Sequence, residues 1–372
     1  MEAQEPKLSV VLMQRRRKRR RRKIHGYSSY YYYYFFFFFF CLLSPCLTVF
    51  STSSNTTNNS NSMQEGEILL ELLKGMQFNQ NSCIGFTWEN YGSSCPSSFC
   101  GVTCSDEGFV IGLDLSNQSL QGTIKPNILS KLTKLSSLDL SANLLSGQLP
   151  QDIGEITTLQ RLDLSSNLLS GPLPSSISTL KTLLYINISS NLISGSIPND
   201  LSQLKSLQTL DLHGNLLGGE IDPSLLGLSS LSTVDLSSNK LQGFIPWQPN
   251  DTLPVLRTVE YVNLSHNLLT GPLAPPKFSS VFAERLKVLD MSYNQLSGDL
   301  PDFEFVIALT TLRLNENLFT GSVPSTLLSA TLGLLEELDL SKNNLSGTIS
   351  FLSSFCVVLL LQLFASSMKL VL

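Results

Sequence analysis

The chain has 372 residues, a net charge of −4, seven cysteines and three histidines, and its charge is segregated. Residues 1–50 hold ten of the 25 Lys and Arg but two of the 29 Asp and Glu, which leaves 15 basic against 27 acidic side chains in the rest, a net −12. So acidic a body excludes a phosphate-backbone partner, and no nucleic acid is expected.

The first element is a basic run, RRRKRRRRK at Arg15–Lys23, followed by an uncharged apolar stretch from Tyr30 to Phe50. Small residues Ser51 and Ser53 then stand where a cleavage site would be. This order reads as a secretory signal. The basic run alone would also match a nuclear-localisation patch, but the cysteines, sequons and repeats downstream agree with export, as does the positive-inside rule. Residues 1–53 are therefore a signal peptide or a retained signal anchor, and 54–62 a Ser/Thr/Asn linker with no core of its own. Residues 63–108 follow as a cap. Ser62 and Glu65 form an S-x-x-E capping box, and Ile68, Leu69, Leu72, Leu73 and Met76 fall on one helical face that would shield the next element.

From residue 109 to about 350 the chain repeats itself. Aligned on the turn position of LxLxxN, the copies give Gln118, Asn143, Asn167, Asn191, Asn215, Asn239, Asn267, Asn294, Asn317 and Asn343. A glycine follows four residues after each, from Gly122 to Gly347. This is the leucine-rich-repeat signature: a stacked solenoid with one short strand per repeat, about ten repeats long, of α/β class. In each LxL the leucines point inward and the middle residue outward. The Asn turns inward, where its amide can satisfy backbone groups of adjacent turns. The glycine suits a tight bend, and the prolines at 150, 174, 198, 246, 301 and 324 limit further pairing on the convex side. Each coil buries roughly six aliphatic side chains worth about 1.5–3 kcal/mol each before chain entropy, so no coil is stable alone.

The form LxxLxLxxNxLxGxIP resembles the plant-specific class of these repeats. The preceding segment, with LLELLKG, Trp88 and CPSSFCGVTC from Cys95 to Cys104, is similar to the N-terminal cap of plant receptor-like kinases. The insertions between Asn239 and Asn294, and LDLHGN at Leu210–Asn215, resemble the receptor-like kinases with degenerate kinase domains. The likeness covers about residues 63–350. It implies that Cys95 and Cys104 form a cap disulfide; Phe99 stands where the family has Trp, and Cys83 and Cys100 are extra. These two either pair with each other or remain free thiols.

Sequons occur at Asn55, Asn58, Asn117, Asn187, Asn250, Asn263 and Asn344, and on exposure grounds Asn250, within WQPNDTLP, is the favoured glycan acceptor. Residues 351–372 are apolar and carry no charge until Lys369. Three readings of this tail stay open: a membrane tail, an eroded eleventh coil, or a truncated product.

Chemistry is sparse. The histidines are His25, His213 and His266, and the last two occupy different columns of coils two apart, so no metal site is expected. No nucleophile elbow, metalloprotease helix, phosphate-binding loop or kinase signature occurs, and no cofactor is implied. The outward column Asp114, Asp139, Asp163, Asn187, Asp211, Asp235, Asn263, Asp290, Arg313 and Asp339 reads either as a solvated scaffold or as a stripe for cations and basic peptides. Departures from Ser, Thr and Asp mark candidate ligand contacts at Arg161, Tyr185, His213, Tyr261, Arg313 and Glu337, with Tyr293 and Glu316 just beyond the strands; aromatic and Arg side chains are favoured at binding hot spots.

The resemblance implies a receptor-like ectodomain without catalytic activity. It would bind a peptide, small ligand or co-receptor kinase in the secretory pathway, at the plasma membrane or in the extracellular space and cell wall. An alternative is a secreted enzyme inhibitor of the polygalacturonase-inhibiting type; another is a non-functional receptor fragment.

Overall fold

The computed structural model describes residues 64–79, 82, 84, 95–246, 258–273, 285–303, 306–328 and 334–347. The expected signal segment, linker and tail lie outside these residues, as do Cys83, Trp88 and the sequons at Asn55, Asn58 and Asn250. All the described residues fall within one compact unit, Asn61–Leu372.

The LxL triplets form the expected strands. Val110–Asp114, Ser137–Asp139, Arg161–Asp163, Tyr185–Asn187, Thr209–Asp211, Thr233–Asp235, Tyr261–Asn263, Val288–Asp290, Thr311–Arg313 and Glu337–Asp339 pair in parallel, each with the next, and Val102–Cys104 closes the N-terminal edge antiparallel. The register slips between Thr103 and Cys104 in the antiparallel pair but holds along the parallel strands: Asp139 lies across from Asp163, Asp163 from Asn187, and so on to Arg313 and Asp339. The inward residues, from Leu113 and Leu115 to Leu338 and Leu340, are buried.

Every described repeat but the last also carries a second strand, which its sequence pattern does not announce. Leu144–Gln148, Leu168–Pro172, Leu192–Ser196, Leu216–Gly219, Lys240–Phe244, Leu268–Gly271, Gln295–Asp299 and Leu318–Thr320 form a second parallel sheet, joined at its N-terminal side by Gln121–Thr123 and Met76–Gln77. The repeated glycine lies inside this strand, not at a bend after it, and takes positive φ, as at Gly195 (φ 81°). The prolines come next and open short 3-10 helices at Gln151–Glu155, Ser175–Thr179 and Asn199–Gln203.

The asparagines hold successive coils together. Asn191 Oδ1 accepts from Leu169 N of the preceding coil at 3.0 Å, and its Nδ2 donates to Leu164 O of that coil and to Ile188 O and Ser189 O of its own. Asn167 and Asn215 repeat the pattern one coil either side.

The cap differs from expectation at its start. Its helix spans Glu65–Leu73 with Gln64 as N-cap; Gln64 N donates to Glu67 Oε2 at 3.3 Å, so the box is made by Gln64 and Glu67. Glu65, freed from that role, accepts from the buried Val110 N and ties the helix to the first coil. Ile68, Leu69, Leu72, Leu73 and Met76 are buried as expected. Cys95 and Cys104 are disulfide-bonded with Cα atoms 5.9 Å apart, and Phe99 fills the family's Trp position as a buried side chain. Cys100 is disulfide-bonded as well.

Partial burial raises the Glu65 carboxyl above its ordinary 4.5, against the lowering effect of the Val110 hydrogen bond. A carboxyl with a raised folded pKa binds its proton more tightly in the folded state, so its contribution to stability falls as pH rises through that pKa. Glu65→Gln keeps an acceptor for Val110 N without the charge. Thermal unfolding across pH 4–7 should show wild type losing stability relative to Glu65→Gln above about pH 4.5; a constant difference would show that the charge does not matter.

Candidate functional site

The outward face of the first sheet is built of three rows, because strand side chains alternate and the register is exact. The first row includes Arg161, Tyr185, Thr209, Thr233, Tyr261, Val288, Thr311 and Glu337, each directly across from the next. The second is the carboxylate and amide column from Asp114 to Asp339. The third, two residues further on, is serine in most coils and His213 in one.

The second row is less solvated than its sequence suggests. Asp163, Asp235, Asn263 and Asp290 are buried. Their Oδ1 atoms, and those of Asp139 and Asn187, accept from the backbone N–H two residues on. In five of these six coils the serine hydroxyl donates to the same oxygen at 2.6–2.7 Å. The column therefore secures the turn after each strand, and a continuous cationic-ligand stripe is not what the geometry offers. Burial is the main cause that raises the carboxyls of Asp163 and Asp235, helped by the neighbouring charges of Asp139 and Asp211 respectively.

Four of the six expected ligand contacts come together in two groups, and the other two, His213 and Tyr261, meet at Asp235. The Arg161 guanidinium lies 3.9 Å from the Tyr185 ring centroid and 2.9 Å from Asp163 Oδ2. Tyr185 OH donates to that same oxygen at 3.3 Å, and burial, then the Asp163 charge, pushes its phenol up from 10. Arg313 makes a two-pronged pair with Glu337, both contacts 2.7 Å, and reaches Asp290 Oδ2 at 3.3 Å; the Glu337 hydrogen bond is the main cause of its raised pKa. Tyr261 stands three coils from Tyr185 and donates to Asp235 Oδ2 at 3.3 Å, the carboxylate also faced by His213. Tyr293 stacks on His266, centroids 4.1 Å apart and planes at 10°, and Glu316 pairs with Lys342.

His213 and His266 do stand in different rows, but His213 meets two carboxylates that an inspection of histidines alone does not reveal. Its Nδ1 is 2.7 Å from Asp211 Oδ1, and one atom from each of Asp211, His213 and Asp235 lies within 4.8 Å of the others. Burial would lower the His213 pKa, but the hydrogen bond and charge of Asp211, with Asp235 beyond, outweigh it and raise the imidazole above 6.5. The signal was present in the sequence as LDLHGN followed one repeat later by VDLSSN, which places Asp, His and Asp in adjacent coils.

Among the sequons, Asn117 and Asn344 are exposed and Asn187 is half-buried. Asn263 is buried, and its Nδ2 donates to Asp235 Oδ2 at 3.1 Å; a glycan there is incompatible with this packing. A further feature has no counterpart in the sequence reading. Leu144, Leu168, Leu192 and Leu216 head four successive strands of the second sheet, and Leu268 and Leu318 head two more beyond Lys240 and Gln295; all six leucines are 41–58% exposed, along the side of the coils. No described helix is long and apolar enough to cross a membrane.

The leucine rich repeat family matches this chain at residues 157–217 and again at 134–156, 285–304 and 334–356. A protein of Arabidopsis thaliana described as a probable inactive receptor kinase is 47% identical over 309 residues, which cover 81% of this chain and 29% of that protein. Among solved structures, a plant ice-binding protein superposes with a TM-score of 0.64 at 30% identity, covering 77% of this chain and 88% of its own. The Arabidopsis receptor kinase HAESA, in complex with the peptide hormone IDA and the co-receptor SERK1, superposes with a TM-score of 0.54 at 28% identity, covering 77% and 55%. The chain spans less than a third of the length of the curated relatives it matches.

Proposed function

We propose, for a chain that belongs to the plant leucine-rich-repeat receptor-like ectodomains, that the outward face of its first sheet recognises an extracellular peptide or small ligand. A co-receptor kinase would complete the complex, and the chain itself would catalyse nothing. The observation that carries this reading is the group of Arg161, Tyr185 and Asp163: a guanidinium stacked on a ring and held by a carboxylate, beside Thr209 and Thr233 in the same row. Such a pre-ordered pair loses little side-chain freedom on binding and offers both a flat apolar surface and a charge. The peptide hormone and co-receptor bound by HAESA support the same class of partner. Placement outside the cell or at the plasma membrane goes with this reading, as the receptor kinases similar to it suggest.

The test is a binding screen of the purified protein against secreted plant peptides and the extracellular domains of receptor kinases. For a partner so found, Arg161→Ala with Tyr185→Ala should weaken binding at least about tenfold, and Tyr261→Ala by less, without a change in Tm large enough to signal unfolding. A partner indifferent to all three substitutions would remove this face as the site.

The likeness to the ice-binding protein sets a second reading, since it covers most of that chain. A crystal lattice demands a periodic face, and exposed leucines recur at coil spacing from Leu144 to Leu216. Freezing-point depression beyond the colligative value would move the function to those leucines.

A further inference from the structure

Apart from Asp114 and Asp339 in its end strands, the carboxylates on the outward face of the first sheet fall into three pairs, and two have an arginine. Arg161 serves Asp139 at 4.0 Å and Asp163 at 2.9 Å; Arg313 serves Asp290 at 3.3 Å and Glu337 at 2.7 Å. Between them Asp211 and Asp235 stand directly across from one another on adjacent strands. Among the described residues neither forms an ion pair with a lysine or arginine, and the cationic group available to them is the His213 imidazole.

We propose that Asp211, His213 and Asp235 form a binding site for one divalent transition-metal ion of the zinc type. His213 Nδ1 and Asp211 Oδ1 are 2.7 Å apart, and an Asp235 oxygen completes a trio within 4.8 Å. A zinc ion about 2.0–2.2 Å from each ligand needs them roughly 3–3.5 Å apart, a change that side-chain rotation supplies. One imidazole nitrogen with two carboxylates suits zinc and its neighbours in the first transition row; calcium and magnesium call for six or more oxygens.

The surroundings are those of a held ligand set. Ser237 N and Oγ fix Asp235 Oδ1 at 3.0 and 2.6 Å, while Asn263 Nδ2 and Tyr261 OH donate to Oδ2 at 3.1 and 3.3 Å, and the metal would take the place of the longer Tyr261 contact. His213 Nε2 lies 3.4 Å from Ser190 Oγ, which leaves Nδ1 turned toward the carboxylates. Outer contacts of this kind orient metal ligands. The substitution of His for the row's usual Ser is what creates the set: a serine here bonds back to the Asp or Asn of its own strand, as Ser165 does to Asp163 and Ser189 to Asn187, whereas His213 puts a ring nitrogen at that place. Asp211 and His213 side chains are each 24% exposed, so the remaining coordination positions face solvent and are open to water or to a ligand carboxylate.

Charge balances. When Nδ1 carries a proton in the metal-free state, that proton bridges to Asp211 Oδ1 across 2.7 Å. The metal takes its place, that proton leaves to solvent, and Nε2 keeps its own toward Ser190. Two carboxylates and a divalent ion then sum to zero around a buried Asp235.

The experiment is calorimetric titration of the purified, tag-free protein with zinc in buffers of different ionisation enthalpy, alongside thermal unfolding with and without zinc. One equivalent should bind with proton release, with an affinity that falls about tenfold per pH unit below the imidazole pKa, and excess calcium should not displace it. His213→Ser installs the row's usual residue, and Asp211→Asn is a second variant with its fold intact on the precedent of Asn187 and Asn263. Each should lose the bound equivalent and the zinc-dependent rise in Tm. Absence of a stoichiometric equivalent in wild type, or its retention in either folded variant, overturns the assignment.

Discussion

Asn191→Ala should lower stability by about 3 kcal/mol, near the upper end for a single polar side chain. The side chain is 6% exposed, and its removal orphans Leu169 N, whose acceptor is Asn191 Oδ1, together with Leu164 O, to which Nδ2 donates. Both groups belong to the preceding coil and are too deeply buried for water to replace the amide. Each such orphan costs about 1–3 kcal/mol. Asn343→Ala makes the comparison. Asn343 bonds the preceding coil identically, through Phe319 N and Leu314 O, but is only half-buried. Water can reach it, so the loss there should be about 1 kcal/mol. Urea denaturation of both variants measures the difference. Equal losses would mean that the asparagines act through local turn propensity and not by satisfying the coil before them.

The second large effect is expected at Gly101→Ala, which should destabilise the cap by about 3 kcal/mol or more. Gly101 has φ 78°, and a Cβ there would fall 1.9 Å from Asp114 O. The opposing atom is backbone, and Asp114 N is itself bonded to Gly101 O at 2.8 Å, so neither side can yield without breaking the antiparallel closure of the first sheet. Cys95 and Cys104 bracket the residue and prevent the segment from swinging away. Gly195→Ala separates strain from collision: its φ is 81°, but the nearest atom to a new Cβ is Pro172 Cβ at 3.6 Å. That variant should cost only about 1 kcal/mol, the price of a left-handed alanine. Hydrogen exchange should find the Gly101→Ala loss concentrated in the cap helix and the first two strands. An unchanged Tm would show that the hairpin relaxes around the methyl group.

Both cases show where the sequence is legible. The Asn column was readable because a buried amide at fixed spacing has one economical use, and it is used that way in coil after coil. Gly101 was not, because only the fold brings Asp114 O within reach. The capping box moved from Ser62 and Glu65 to Gln64 and Glu67 for a similar reason. S-x-x-E is a local pattern, and Glu65 has a competing partner 45 residues away in Val110 N. The second sheet is hidden in the sequence because most of its strands begin with an exposed leucine and contain a glycine at positive φ, which breaks the alternation by which a strand is recognised.

For the candidate site, periodicity determined which positions face outward and so selected Arg161, Tyr185, His213, Tyr261, Arg313 and Glu337. The pairing of those residues depended on distance. Arg161 lies over the next strand's Tyr185, Arg313 locks onto the next strand's Glu337, and His213 turns toward Asp211 of its own strand and Asp235 of the next. Sequence by itself determined the repeat, its length, the inward leucines and asparagines, and the rows on which other residues must stand, because these follow from a period repeated ten times. Only the tertiary structure decided which carboxylates are buried, which charges are already paired and where a histidine meets two acids. Those outcomes depend on atoms a few ångströms apart in neighbouring coils, and one-dimensional spacing does not encode how side chains turn once the coils are stacked.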